Sequence, residues 1–215
     1  MSIPVGVSAR HVHVSQTDLE KLFGTGAVLH PKKDLSQPGQ YAADETVDLQ
    51  GPRGTIPHVR ILGPVRPHTQ VEVSRTDAFK LGIDAPVRES GDIENTPGLT
   101  LVGPQGSVEL KKGVIVAMRH IHLTPEDARA LGVHDKEEIA VRAESGDRSL
   151  IFDHVVARVS PSFKLDFHID TDEANAAGLQ TGDEVDLVEI EDFRGNEIPR
   201  PVSTEAAVDS SHFVS

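Results

Sequence analysis

The chain has 215 residues, 37% hydrophobic and 26% charged, with a formal net charge of −13 and no cysteine. That length accommodates one large domain or two of about 100 residues. An acidic surface repels nucleic acid, no apolar run approaches the roughly 18 residues of a membrane span, and the lack of cysteine rules out disulfides, thiolate metal ligands and a cysteine nucleophile.

The first segment, Met-Ser-Ile-Pro-Val-Gly, has no basic stretch leading into an apolar one, so no signal peptide is expected. Residues 11–13, His-Val-His, alternate as a strand does. Ser15 follows at a helix N-cap position with Asp18 three residues on, and Gly24 ends the short helix. Residues 24–44 read as an inserted loop or hairpin rich in Gly, Lys and Pro. Residues 47–49 and 59–62 read as strands separated by Gly51-Pro52. Residues 71–73 are a strand capped by Ser74, with Asp77 in the first turn and Gly82 as the stop. Strands are expected at 99–102, 107–110 and 113–117. His120-Ile-His122 then leads to Thr124, Pro125, Asp127 and Gly132, with Pro at the first helical position. Residues 139–142, 150–152 and 154–159 are strand-like, 167–169 lead into an Asp170 cap with Glu173 and Gly178, and 185–190 are the last strand. From about 192 the pattern fades into a C-terminal tail.

These elements repeat. Arg10-His-Val-His-Val-Ser15-Gln-Thr-Asp18 recurs 109 positions on as Arg119-His-Ile-His-Leu-Thr124-Pro-Glu-Asp127. Val71-Glu-Val-Ser74-Arg-Thr-Asp77 recurs 96 positions on as Phe167-His-Ile-Asp170-Thr-Asp-Glu173. Each unit is a strand, a cap, a short helix and a Gly stop, and it occurs four times, two per half. Many short strands at this spacing predict a mainly β chain of two small β-barrels capped by short α-helices.

Alternate residues of a strand share a face, so His11 projects with His13, and His120 with His122. The repeat adds a third donor at matching places, Glu72 in the first half and His168 in the second. The predicted metal sites are His11, His13, Glu72 and His120, His122, His168. Three N/O donors with an open position suit a catalytic zinc, and Fe, Co and Mn fit the same donors. Residues 53–75 carry Arg53, Arg60, Arg66, Arg75, His58 and His68 against the single acid Glu72, a basic stretch by which an acidic chain can hold an anion.

At these residues the chain resembles the PduL-type phosphotransacylases, the phosphate propanoyltransferases. The motifs are residues 6–14, Gly-Val-Ser-Ala-Arg-His-Val-His-Val; residues 63–72, Gly-Pro-Val-Arg-Pro-His-Thr-Gln-Val-Glu; residues 88–91, Arg-Glu-Ser-Gly; and residues 118–122, Met-Arg-His-Ile-His. The resemblance runs from Val5 to about Ile190. It implies two barrels of swapped connectivity, residues 10–117 and residues 1–9 with 118–215, and two zinc ions per chain. It implies that Arg66 binds phosphate, with Ser90 near the same anion, and that Ser8, Lys33, Arg60 and Asn175 contact coenzyme A. The implied reaction interconverts a short-chain acyl-CoA (propanoyl or acetyl) plus phosphate with acyl phosphate plus CoA. The donor sets taken alone also admit a di-zinc metallohydrolase acting on an ester or phosphoester, or a non-enzymatic metal-binding barrel. A homodimer is compatible with this reading; nucleic-acid and membrane partners are not expected. Family members in microcompartments begin with an encapsulation helix, whereas nine residues precede Arg10 here. The expectation is therefore a cytoplasmic protein, with the microcompartment lumen as the alternative.

Overall fold

A computed structural model describes residues 2–188. In chain order the first half contains β1 (Ser2–Ser8), β2 (His11–His13), α1 (Gln16–Phe23), β3 (Pro31–Asp34), β4 (Tyr41–Gln50), β5 (Thr55–Gly63), β6 (Gln70–Glu72) and α2 (Arg75–Leu81). Then come β7 (Val87–Arg88), β8 (Thr100–Val102), β9 (Ser107–Glu109) and β10 (Val114–Ala117). The second half contains β11 (His120–Leu123), α3 (Pro125–Leu131), β12 (Glu138–Ala143), β13 (Leu150–Val159), β14 (Asp166–Asp170), α4 (Thr171–Ala177) and β15 (Glu184–Val188). Residues 150–159, read from the sequence as two strands, form the single strand β13. The expected tail after about 192 lies outside the described residues.

Six strands close into a barrel in the order β1-β14-β11-β13-β12-β15, with β15 pairing back onto β1. The other nine form a half-barrel sheet, β7-β10-β6-β2-β5-β4-β8-β9, with β3 hydrogen-bonded to β4 as a hairpin. The corresponding seam in this sheet, between β8 and β10, is held by Val114 N–H donating to the Pro97 carbonyl at 3.0 Å. Beside it the Gly113 N–H donates to Thr96 Oγ1 at 2.9 Å, and β8 and β10 form no ladder.

Each half takes one strand from the other. β1 immediately precedes β2 in the chain but lies in the closed barrel, parallel to β14. β10 immediately precedes β11 but lies in the half-barrel, parallel to β6. The short connections across these exchanges carry Arg10 and Arg119.

The alternation in each His-x-His strand divides its two faces. Val12 and Ile121 are fully buried in two separate apolar cores. Leu19, Leu22, Leu49, Ile61, Leu81 and Leu101 fill the first. Ile3, Ile121, Leu123, Phe152 and Phe167 fill the second, where the two phenyl rings pack edge to face at 5.5 Å. Burying such side chains stabilises each half by roughly 1.5–3 kcal/mol apiece, and anchors the strands whose opposite faces carry the histidines.

The four caps form as the repeat predicts, with one division. Thr124 with Asp127 and Asp170 with Glu173 make reciprocal capping boxes. Ser15 and Ser74 accept their N3 amides, but Asp18 accepts from Thr69 Oγ1 at 2.7 Å and Asp77 from Arg10 Nε at 2.8 Å. Gly82, Gly132 and Gly178 end their helices in the left-handed region, whereas Gly24 has φ 104 and ψ 159 as the chain turns out toward the hairpin. Among the described residues, no helix is long and apolar enough to cross a membrane.

The hairpin and α2 tie the halves together. Buried Gln37 donates to the Lys164 carbonyl at 2.9 Å and accepts from its N–H at 3.1 Å. The Thr76 N–H donates to Asp172 at 2.8 Å, and Lys136 bonds Glu89.

Candidate active site at the junction of the two halves

The ladder brings each predicted donor set together. β2 pairs antiparallel with β6, setting His11 opposite Glu72 and His13 opposite Gln70. β11 pairs antiparallel with β14 in the same way, setting His120 opposite His168 and His122 opposite Asp166. Within each set the donor atoms lie within 4.8 Å of one another.

In the first set His11 Nε2 is 3.4 Å from Glu72 Oε2, and His13 Nε2 is 3.9 Å from Oε1. All three residues are buried. Burial opposes charge on the Glu72 carboxyl, but the neighbouring His11 and His13 and the Ser90 hydroxyl outweigh it and hold the pKa well below the usual carboxylate range. Burial likewise opposes charge on His11, yet Glu72 and the Ala9 carbonyl shift it upward. His13 is pushed down to about 3, first by burial and then by the His11 and Arg66 charges. In the second set burial leads again: His120 falls to about 4, with His168 adding to the effect, and His122 falls to about 2. Both His122 and His120 are therefore neutral near pH 7, with lone pairs available to a cation.

The chemistry of the donors fits a metal ion in each set. His11 Nδ1 donates to the Ala9 carbonyl at 2.9 Å and His120 Nδ1 to the Met118 carbonyl at 2.8 Å, the same contact 109 positions apart. That bond selects the tautomer with a free Nε2 lone pair. His122 Nδ1 is buried without a hydrogen-bond partner among the described residues, a condition costing about 1–3 kcal/mol when no ligand compensates it.

Two residues missed in the sequence sit behind the third donors. Gln70 Nε2 donates to Glu72 Oε1 at 2.6 Å and Ser90 Oγ at 3.0 Å. Asp166, almost fully buried, bonds His168 Nε2 at 2.8 Å. These are again repeat partners, 96 positions apart. The exchange is chemically matched: a carboxylate donor is backed by an amide N–H, an imidazole by a carboxylate. The same alignment that found Glu72 and His168 would have found them two residues upstream. Gly6 makes room, since a Cβ there would lie 2.9 Å from both Asp166 carboxylate oxygens and from His168 Cδ2.

Arg66 Nη1 donates to Ser90 Oγ at 3.2 Å, and Ser90 in turn donates to Glu72 Oε1 at 2.7 Å. The Arg66 N–H is bonded to the Val14 carbonyl at 2.9 Å, which pins its loop to the β2 strand. The structure thus joins Arg66 and Ser90 to the first donor set. A single cavity between the halves is lined by Glu72 from the first set and His120 and His168 from the second, together with Ser8 and Asp170. Arg60 pairs with His11 across the β2–β5 ladder and donates to the Ala43 and Asp44 carbonyls. Lys33 and Asn175 lie exposed on β3 and α4, outside the cavity lining. The basic stretch divides: Arg53 and Arg75 flank a separate groove beside exposed Phe79.

A barrel and half-barrel carrying two repeat-related donor sets, with a guanidinium beside one of them, is a scaffold for handling an anionic substrate. Sequence comparison supplies the class. A family model described as phosphate propanoyltransferase matches residues 4–180. A phosphate propanoyltransferase of Thermotoga maritima is 62% identical over 188 residues, covering 87% of this chain and 90% of the relative. Those of Salmonella typhimurium and Priestia megaterium are 56% and 55% identical, covering 82% and 85% of this chain and 83% of each relative. The protein is an enzyme of the acyltransferase class, a phosphotransacylase. The chain belongs to the phosphate propanoyltransferase family.

Proposed function

We propose that the enzyme interconverts a short-chain acyl-CoA, propanoyl-CoA or acetyl-CoA, and phosphate with acyl phosphate and CoA, at a site holding two zinc ions. The observation carrying this reading is a cavity lined by residues of both donor sets. His11, His13 and Glu72 would hold one ion, and His120, His122 and His168 the other. When bound, such ions supply Lewis-acid polarisation of the thioester carbonyl and stabilisation of the departing thiolate.

The chain's own residues account for the rest. In the forward direction a phosphate oxygen attacks the carbonyl carbon, the C–S bond breaks, and the electron pair leaves with sulfur. Arg66 grips the phosphate in bidentate fashion, held in place by Ser90. Of the residues assigned to coenzyme A, Ser8 lines the cavity and Arg60 pairs with His11 on the ladder, while exposed Lys33 and Asn175 would serve its extended parts. In this reading residues 10–117 are one functional half and, of the described residues, 2–9 with 118–188 the other, each contributing one donor set.

The test is phosphate-dependent release of free thiol from propanoyl-CoA and acetyl-CoA. Turnover is expected to require phosphate and to yield acyl phosphate in equal amount. Thiol release at an undiminished rate without phosphate would assign a hydrolase instead.

Asp166 provides a second expected outcome. A carboxylate bonded to a ligating imidazole raises its basicity and fixes its orientation. Asp166→Asn is expected to weaken metal retention in the second set by roughly 10- to 100-fold, measured as ions per chain during chelator titration. Retention equal to wild type would reduce Asp166 to a packing role.

A further inference from the structure

Building on that reading, we infer that Arg158 is a second anion-binding residue, gripping the phosphoryl group of phosphate or acyl phosphate from beside the second donor set, as Arg66 does from beside the first. It lies on β13, which pairs in parallel with β11 and sets Val156 beside His120 and Arg158 beside His122. Residues paired across a ladder share a face, so Arg158 stands on the face that carries the second donor set. Asp166 is on the far side of His122 in the same row, and its carboxylate is engaged by His168.

The guanidinium is positioned without being neutralised. Its Cζ lies 5.7 Å from the centroid of the Phe163 ring, and that ring packs on His122 at 4.4 Å. A cation over an aromatic face is held in orientation while its N–H donors stay free at the edge. Among the described residues no carboxylate comes within ion-pair distance of Arg158 or of Arg66, whereas Arg10 and Arg119, next to the same strands, are each paired at 2.8 and 2.9 Å. Arg158 is half-buried, so its charge is not dissipated in bulk water. It is tied to the second donor set through Phe163 and His122, as Arg66 is tied to the first through Ser90 and Glu72. Two guanidinium groups, one beside each donor set and neither in an ion pair among the described residues, form a place for a doubly charged oxyanion.

The phosphoryl group is the favoured occupant because Arg158 and Arg66 flank the donor sets, where the reacting atoms meet. The diphosphate of coenzyme A has the same recognition chemistry, and the experiment separates the two. Phosphate is titrated calorimetrically into metal-replete wild type, Arg158→Ala, Arg158→Lys and Arg66→Ala, without coenzyme A. Metal content and melting temperature are checked for each. Arg158→Ala is expected to bind phosphate roughly 10- to 100-fold more weakly, as loss of a charge-assisted contact implies, with two ions retained. Arg158→Lys should recover part of the loss, since it keeps charge without the fork. In initial rates the KM for phosphate should rise while that for acyl-CoA stays within about twofold. Unchanged phosphate affinity in Arg158→Ala would overturn the assignment, as would a rise confined to the KM for acyl-CoA. Wild type that binds phosphate but releases no thiol in a phosphate-dependent way would instead sink the transacylase reading, and leave the phosphate-affinity comparison to decide Arg158.

Discussion

Glu72→Ala and His168→Ala protein are each expected to retain about one metal ion per chain where wild type carries about two, because each removes one of three donors from one set only. The two sets share no donor, so the first variant should empty the set on β2 and β6, the second the set on β11 and β14. Activity should fall by about 1000-fold or more in both, since carbonyl polarisation by a bound ion is worth several kcal/mol in the transition state. Elemental analysis of the purified variants, with phosphate-dependent thiol release measured alongside, checks both parts. Two ions at wild-type affinity in either variant would remove that residue from the donor set. Transition metal absent from wild type, with activity indifferent to chelators, would remove the ions altogether. The folded frame should survive, since the apolar neighbours Val71, Val73, Phe167 and Ile169 belong to the cores on the opposite face.

Arg66→Ala is expected to lower kcat/KM for phosphate by about 30- to 1000-fold while metal content stays at about two, from a charge-assisted contact worth roughly 2–4 kcal/mol in a water-poor site. Arg66 reaches Ser90, and Ser90 reaches Glu72, so the guanidinium is tethered to the first donor set without being one of its donors. Arg66→Lys should recover only part, because lysine retains charge but cannot present two parallel N–H donors. A kcat/KM for phosphate within about threefold of wild type, under 1 kcal/mol, would take Arg66 out of the phosphate site.

The donor sets were legible in the sequence because a duplicated strand-cap-helix unit is a local pattern, and local patterns are set by near neighbours. His11/His13 and His120/His122 follow from period-2 alternation, and Glu72 and His168 from aligning the units. Gln70 and Asp166 were recoverable by the same alignment and were passed over because neither carries a motif of its own. Arg158 was not legible. Its importance depends on which strand lies beside β11, and β13 reaches that place only through parallel pairing across the chain between Leu123 and Leu150. Phe163 orients it from a turn beyond the strand, a contact no periodicity encodes.

The sequence by itself determined a mainly β chain with four capped short helices, an internal duplication, and two groups of three residues of metal-ligating type. Those features rest on side-chain alternation, cap chemistry and the conformational freedom of glycine, all of which act within a few residues. Tertiary structure alone decided that β1 and β10 change places, that one half closes while the other stays open, and that a cavity meets both donor sets. Those outcomes depend on pairing between strands far apart in the chain, where register and closure are chosen by the packing of two whole cores rather than by any local run of residues.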